Sequence, residues 1–388
     1  MYRITEALEE NEILKFKLSE TNVSLANALR RTIVSDIDTV VFITTPHNEN
    51  QSVFHMNTTR MNNELLKQRL SCIPIHISDP EFPINDYILE IHVKNDTEMT
   101  RHVTTENFKI KNIITEKYLT ETMTKQIFPP NKISGDYIDF VRLRPGVNEN
   151  IIGEELHITC KFSIANAKTD AMFNIVSNCC YGYTQDAVEI NRQWTLKEKE
   201  LQKTTSPESI EYIKKDWLLL DAQRYTVPDS FDFIIETLGI FENITIVHKA
   251  CDVLIRKFSN LSQVIQSNTL LIKNSPTTMP NSFDIVLENE DYTLGKAIEW
   301  LMYSNYYLKS QTLNFCGFRK EHPHDNDSVV RVAFKEATER NVLVQYIIAI
   351  TDEGKEIFET IKRELADDNY TADTLLATHS EGVEETKG

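Results

Sequence analysis

The chain has 388 residues, 41 Lys+Arg against 58 Asp+Glu for a formal net charge of −17, and is 41% apolar with 18 Phe, 14 Tyr and 3 Trp. So much apolar and aromatic material excludes wholesale disorder, and the acidic balance excludes a surface built mainly to wrap nucleic acid. No run approaches the roughly 18 apolar residues of a spanning helix, the start lacks the uncharged core of a secretory signal, and 6 Cys are too few for a disulfide framework; the expectation is a reduced, intracellular protein of two or three domains.

The first predicted element is Leu14-Lys15-Phe16-Lys17-Leu18, whose alternation fits a strand with one buried face. Residues 19–22 break it. Either Asn22 or Ser24 can cap the helix that follows as far as Ile37, because Leu25, Leu29, Ile33 and Ile37 fall at every fourth position and make one apolar stripe. Val40-Val41-Phe42-Ile43 reads as a buried strand. Over residues 44–171 short alternating runs, such as 72–77, 87–93 and 156–162, are punctuated by Pro, Asn and Asp and predict a β-rich region; Asn62-Asn63 falls in a loop. Residues 195–215 are polar and read as a solvated face or loop. Phe231, Phe233 and Ile235 then alternate as a strand, and Val247, Cys251, Leu254, Phe258 and Leu261 stripe a helix over about 243–264. Residues 273–278 read as a linker, and the stretch after Leu365 as an acidic tail with little to bury.

Residues 18–29 recur as residues 287–298, an offset of 287 − 18 = 269. Both copies follow an alternating strand. Leu25, Leu29 and Ile33 correspond to Leu294, Ile298 and Met302, so the apolar stripe is kept. Away from the stripe, Asn27, Arg30 and Arg31 are replaced by Lys296, Glu299 and Trp300. The physical reading is two copies of one strand-helix unit, each hiding its stripe against the other in an intrachain pseudo-dimer whose outward faces differ. The competing reading is coincidence between two capped amphipathic helices.

At these residues the chain resembles the α-like subunits of cellular DNA-dependent RNA polymerase. Ser24-Leu25-Ala26-Asn27-Ala28-Leu29-Arg30-Arg31 is similar to the family's helix signature, and Asn57-Thr58-Thr59 with Gln68-Arg69-Leu70-Ser71-Cys72-Ile73-Pro74-Ile75 to the next block of the larger α-like subunit. Arg142-Leu143-Arg144-Pro145-Gly146, residues 165–171 and residues 233–239 continue that likeness. Asp291-Tyr292-Thr293-Leu294-Gly295 and residues 316–323 resemble the smaller α-like subunit, the eleventh of eukaryotic RNA polymerase II. One chain joining the third and eleventh types resembles the fused form of large nucleocytoplasmic DNA viruses, which would place it in the host cytoplasm and in the virion.

The resemblance implies an α+β fold. It divides the chain into a first dimerisation module at 1–44 and 172–268, an inserted β-rich domain at 45–171, a linker at 269–280, a second module at 281–365 and a disordered tail at 366–388. It implies a platform with no catalytic site, on which the largest and second-largest polymerase subunits assemble beside small zinc-binding subunits, with no direct nucleic-acid contact, membrane contact or cofactor. Asn27, Arg30 and Arg31 would meet the second-largest subunit, a task suited to the arginine fork. Lys296 and Glu299 depart from the pattern in the second copy, and residues 78–83 lie where relatives carry a cysteine cluster, so no metal is expected.

Other candidates are weaker. His322 and His324 with Asp325 and Asp327 could serve a stand-alone metal-dependent enzyme, but no further ligands lie nearby in sequence and His322-Pro323 fits a structural turn. Cys179-Cys180 reads as strand core rather than a redox pair. No G-x-S-x-G, Walker or H-E-x-x-H motif is present. A free transcription adaptor with the same fold is the remaining alternative.

Overall fold

Asn22 is the residue that starts the first helix, its Oδ1 accepting from the Ser24 backbone N–H at 2.8 Å. The computed structural model describes residues 2–79, 81–146, 153–203, 206–276 and 279–365, so the expected tail at 366–388 lies outside the described residues. In chain order it begins with β1 (Arg3–Glu10), β2 (Ile13–Ser19), α1 (Val23–Ser35) and β3 (Thr39–Val41). There follow β4 (Ser52–Asn57), α2 (Asn63–Ser71), β5 (Tyr87–Lys94), β6 (Arg101–Thr104), β7 (Lys109–Asn112), α3 (Glu121–Ile127), β8 (Asp139–Leu143), β9 (Glu155–Lys161) and β10 (Ser163–Ala165). The chain returns through β11 (Val176–Gln185), α4 (Ala187–Leu201), α5 (Pro207–Leu219), β12 (Thr226–Thr237) and α6 (Asn243–Gln266). It closes with β13 (Ile272–Asn274), β14 (Ser282–Leu287), α7 (Tyr292–Met302), β15 (Leu313–Arg319), β16 (Ser328–Phe334) and α8 (Arg340–Glu364). No described helix is long and apolar enough to cross a membrane.

Two compact units form. Among the described residues, the first gathers those of 2–33, 178–236 and 243–365, and the second those of 34–177 with 237–242. The second unit thus extends past both ends of the expected 45–171 insert.

In the first unit, one sheet has the order β1-β2-β12-β11 and another β13-β14-β16-β15. The two orders correspond strand for strand, and so does the chain order of strands and helices around them once the α4–α5 hairpin and the second unit, which interrupt the first set, are set aside. Leu18, Phe16 and Leu14 of β2 face Phe231, Phe233 and Ile235 of β12 in antiparallel register, and the Phe16 and Phe233 rings stack at 5.0 Å. Period-2 alternation puts all six on one face, which is buried. The stripe residues Leu25, Leu29 and Ile33 of α1 and Leu294, Ile298 and Met302 of α7 are all buried.

The helix packing differs from the expectation that the two stripes meet. The close helix-helix contact between the halves is α6 against α8, with Phe258 and Phe358 at 6.2 Å between ring centres and Lys362 Nζ on Asp252 Oδ1 at 2.6 Å. The reason is length. α6 and α8 have 24 and 25 residues and offer far more apolar surface than the 13-residue α1 or 11-residue α7.

Three further readings are corrected. Residues 195–215 lie in the α4–α5 hairpin, where Trp194 meets Trp217 at 5.4 Å over Ile190, Ile210 and Ala222; its apolar residues are sparse because each helix buries only a narrow stripe against the other. The 269–280 linker contains β13, whose Ile272 pairs with Ile285 at the edge of the second sheet. Cys179 is buried but Cys180 is exposed, as alternation along a strand covered on one face requires.

The second unit contains the sheet β4-β9-β5-β7 and the pairs β3–β10 and β6–β8. Its core holds Phe42, Phe108, Phe128 and Phe140, with Phe108 edge-on to Phe128 at 5.3 Å and to Phe140 at 5.6 Å. Asn62 is not loop but the cap of α2, accepting from the Leu65 N–H at 2.9 Å. Residues 72–77, expected as a strand, bury Ile73, Ile75 and Ile77 without joining a sheet, consistent with Pro74 lacking a donor for a ladder.

A Cβ on Gly354 of α8 would come within 2.6 Å of the Phe258 ring. Glycine-to-alanine in a helix interior ordinarily gains about 0.5–1 kcal/mol, but here overpacking of about 1–3 kcal/mol opposes it, so Gly354→Ala should lower the urea unfolding midpoint. In the second sheet Arg331 forks onto Asp284, Nε to Oδ1 at 2.6 Å and Nη2 to Oδ2 at 2.7 Å. Those hydrogen bonds hold the Asp284 carboxyl below its ordinary range against the opposing effect of burial. A depressed carboxylate stabilises the fold above its unfolded pKa of about 3.9, and that contribution is lost as pH falls through the folded value. Asp284→Asn should therefore be less stable at neutral pH, and denaturation midpoints measured across the acid range should fall less steeply than those of the parent protein.

Candidate functional site

The face of α1 away from its buried stripe carries Asn27, Arg30 and Arg31, and the structure separates their roles. Arg30 donates from Nε to Asn27 Oδ1 at 3.1 Å, one helical turn back. It is half-buried, and no carboxylate partners it among the described residues. Beside it runs β11: the Cys179 thiol donates to the Arg30 carbonyl at 3.9 Å. Burial raises the Tyr181 hydroxyl's pKa while nearby Arg30 pulls it down. Tyr183, on the same strand, is exposed and packs on Phe231 at 4.9 Å.

Arg31 turns elsewhere. Its Nη2 meets Asp291 Oδ2 at 3.0 Å and its Nε donates to Thr293 Oγ1 at 3.0 Å, so this side chain is committed to the start of α7. Asp291 is that helix's N-cap, its Oδ1 accepting from the Thr293 N–H at 2.8 Å. One carboxylate therefore serves the helix N-terminus and the guanidinium together, and shields the arginine from the positive end of the helix dipole. Positions matched by the repeat are Asn22 for Asp291 and Trp300 for Arg31, which cannot form the reciprocal ion pair. The cross-copy bridge can exist in one direction only.

The second copy keeps the local geometry and reverses the chemistry. Lys296 Nζ pairs with Glu299 Oε2 at 2.5 Å, at the positions of Asn27 and Arg30, and the Cys316 thiol donates to the Glu299 carbonyl at 3.6 Å as Cys179 does to Arg30. Burial pushes both thiols up to about 12, so neither offers a thiolate at neutral pH. A half-buried arginine lacking a carboxylate on one face, against a lysine already neutralised by its own glutamate on the other, gives two surfaces with different demands on a partner.

Sequence reasoning missed Asp291 and Thr293 as the partners of Arg31, and Tyr181 as a neighbour of Arg30. The repeat held a signal for the first pair, since Asp291 occupies the cap position of Asn22 with a charge added. Tyr181 carried none, because β11 lies about 150 residues from α1 in sequence. Around His322, the backbone N–H donates to Asp325 Oδ2 at 3.0 Å and Nδ1 accepts from the His324 N–H at 3.2 Å; these groups hold their own turn. No group of three His, Cys, Asp or Glu side chains poised for a metal is found among the described residues.

The bridge can be weighed by a double-mutant cycle on Arg31→Ala and Asp291→Ala. Both side chains are partly solvated, at 33% and 23% exposure, so the coupling expected from denaturation midpoints is about 0.5–1 kcal/mol. Asp291→Asn, which keeps the cap, should cost less than Asp291→Ala.

The sequence model of the RNA polymerase Rpb3/Rpb11 dimerisation domain matches residues 15–258, well over half of the chain and including α1, β11, β12 and most of β2 and α6. The chain is 39% identical over 66 residues to the DNA-directed RNA polymerases IV and V subunit 3B of Arabidopsis thaliana, covering 17% of this chain and 18% of that protein. It is 30% identical over 87 residues to the DNA-directed RNA polymerases I and III subunit rpc19 of Dictyostelium discoideum, covering 22% of this chain and 71% of that protein. The match thus spans about a fifth of the first relative and about seven-tenths of the second. With the capped strand-helix unit and its partner strands inside the matched region, the chain belongs to the RNA polymerase Rpb3/Rpb11 dimerisation domain family.

Proposed function

We propose that the chain is a non-catalytic assembly subunit of a multisubunit DNA-directed RNA polymerase, joining two α-like dimerisation modules in one polypeptide as a platform for the two large catalytic subunits. The observation that carries this reading is the correspondence of the two four-stranded sheets, β1-β2-β12-β11 and β13-β14-β16-β15, each with its short helix and its long helix, joined through α6 on α8. A strand-helix unit this small cannot bury its own apolar surface, and a second copy in the same chain supplies the cover without a concentration-dependent association step.

In this reading the Asn27–Arg30 face docks the second-largest subunit through a carboxylate, and the largest subunit and small zinc-binding subunits join the same platform. Arg31 is assigned to the bridge between modules instead of the outer contact. The fused arrangement favours a source among large nucleocytoplasmic DNA viruses, with the protein in the host cytoplasm and the virion. The second unit is read as the domain inserted in the first module. An excess of acid over base suits a position away from the DNA-binding cleft.

Affinity purification of the tagged chain from its native source, followed by peptide identification, tests the assignment. Recovery with the two largest polymerase subunits is expected; recovery without either would reject it in favour of a free adaptor. Arg30→Glu should weaken retention of the second-largest subunit by about tenfold or more, because it sets like charges together at a partly desolvated contact, and should leave the thermal unfolding profile unchanged. Full retention would remove Arg30 from the interface.

A further inference from the structure

The second unit carries a cleft of about 500 Å³ between the turn before α2, strand β8 and the residues that follow β8. Four arginines line it: Arg60, Arg69, Arg142 and Arg144, against two carboxylates, Asp139 and Glu154. A local positive excess in a chain of net charge −17 is the reverse of its surroundings.

The pairing is uneven. Glu154 is taken by Arg144, whose Nε donates to Oε1 at 2.6 Å while the Arg144 backbone N–H donates to Oε2 at 2.8 Å. Arg142 is 67% exposed and lies 3.7 Å from Asp139 Oδ2, too far for a firm hydrogen bond. Arg69 spends Nη2 on the Asp139 backbone carbonyl at 2.6 Å, and neither it nor Arg60 has a carboxylate partner among the described residues. Among the described residues Arg60 and Arg69 therefore lack a carboxylate, and Arg142 has only a loose share of Asp139, whose other oxygen lies 3.6 Å from His102 Nδ1.

The cleft does not end at the charges. A second hollow of about 290 Å³ shares Arg69, Asp139 and Phe140 with it and continues along α2 over Cys72, Ile73 and Ile138, with Ile138 exposed. The continuous groove is thus cationic at one end and apolar at the other. A phosphate backbone could use the first end but has no aliphatic group for the second.

We propose that this groove docks an acidic segment of a partner polypeptide, placing carboxylates on Arg60, Arg69 and Arg142 and an apolar side chain in the hollow beside Phe140 and Ile138. The arginine fork matches a carboxylate in two bonds, and an apolar anchor in a pocket with a charged rim is the arrangement that concentrates binding energy in few residues. The site is separate from the Asn27–Arg30 face and does not depend on the polymerase assignment.

The test uses the full chain and a fluorescein-labelled peptide, Glu-Asp-Glu-Leu-Phe-Glu-Asp, read by fluorescence anisotropy. Saturable binding that weakens with added salt is expected, with a loss of about tenfold or more in the Arg60→Glu, Arg142→Glu double variant. The milder Arg60→Gln, Arg142→Gln pair should lose affinity in the same direction, so a folding failure of the charge-reversed protein, seen by circular dichroism, would not spare the idea. Replacing Leu-Phe by Ser-Ser in the peptide, or Ile138→Asp in the protein, should weaken binding without abolishing its salt dependence. No saturable binding, equal affinity for the parent and both arginine variants, or tighter binding to an oligouridylate RNA than to the peptide would overturn the proposal.

Discussion

The close approach of α6 and α8 is the constraint on which the first unit depends. Each four-stranded sheet has an apolar face to cover, and its short helix covers only part of it. The long helices complete the cover and leave their own outer stripes apolar, so those stripes must be buried against each other. Gly354 permits this by letting the Phe258 ring sit against the α8 backbone, and Phe358 closes the contact from the other helix. Polar pairs such as Lys362–Asp252 lie at the margin, where they fix register more than they add stability.

Once that packing is set, the faces of α1 and α7 away from their stripes are free to diverge, because neither supports the core. They have diverged in net charge. Asn27 and Arg30 leave a guanidinium without a carboxylate, whereas Lys296 and Glu299 neutralise one another. Arg31 has gone a different way and ties the first copy to the cap of α7 through Asp291. A symmetric dimer of identical chains would make that bridge twice or not at all; a single chain can make it once, which gives the assembly a direction that its sheets alone lack.

The acidic balance is also unevenly spent. Isolated arginines on an acidic surface ordinarily find carboxylates close by, as Arg331 finds Asp284 and Arg144 finds Glu154. Among the described residues Arg30, Arg60 and Arg69 do not.

The sequence by itself determined the elements whose periodicity is strong and local: the β2 strand, the α1 and α7 stripes, the β12 strand and α6, each written in residues that bury side by side. It also carried the repeat, since matching core positions and caps survive as identities or near-identities. Where local pattern was weak, legibility failed. The α4–α5 hairpin hides in a charged stretch because Trp194 and Trp217 are far apart in sequence, and β13 looks like linker because a three-residue edge strand needs its neighbour to be a strand at all. Only the tertiary structure decided that α6 meets α8, that Arg31 turns inward to Asp291 while Arg30 does not, and that four arginines from separate segments share one groove. Those outcomes depend on which distant residues are brought together, and helical or strand period holds no information about that.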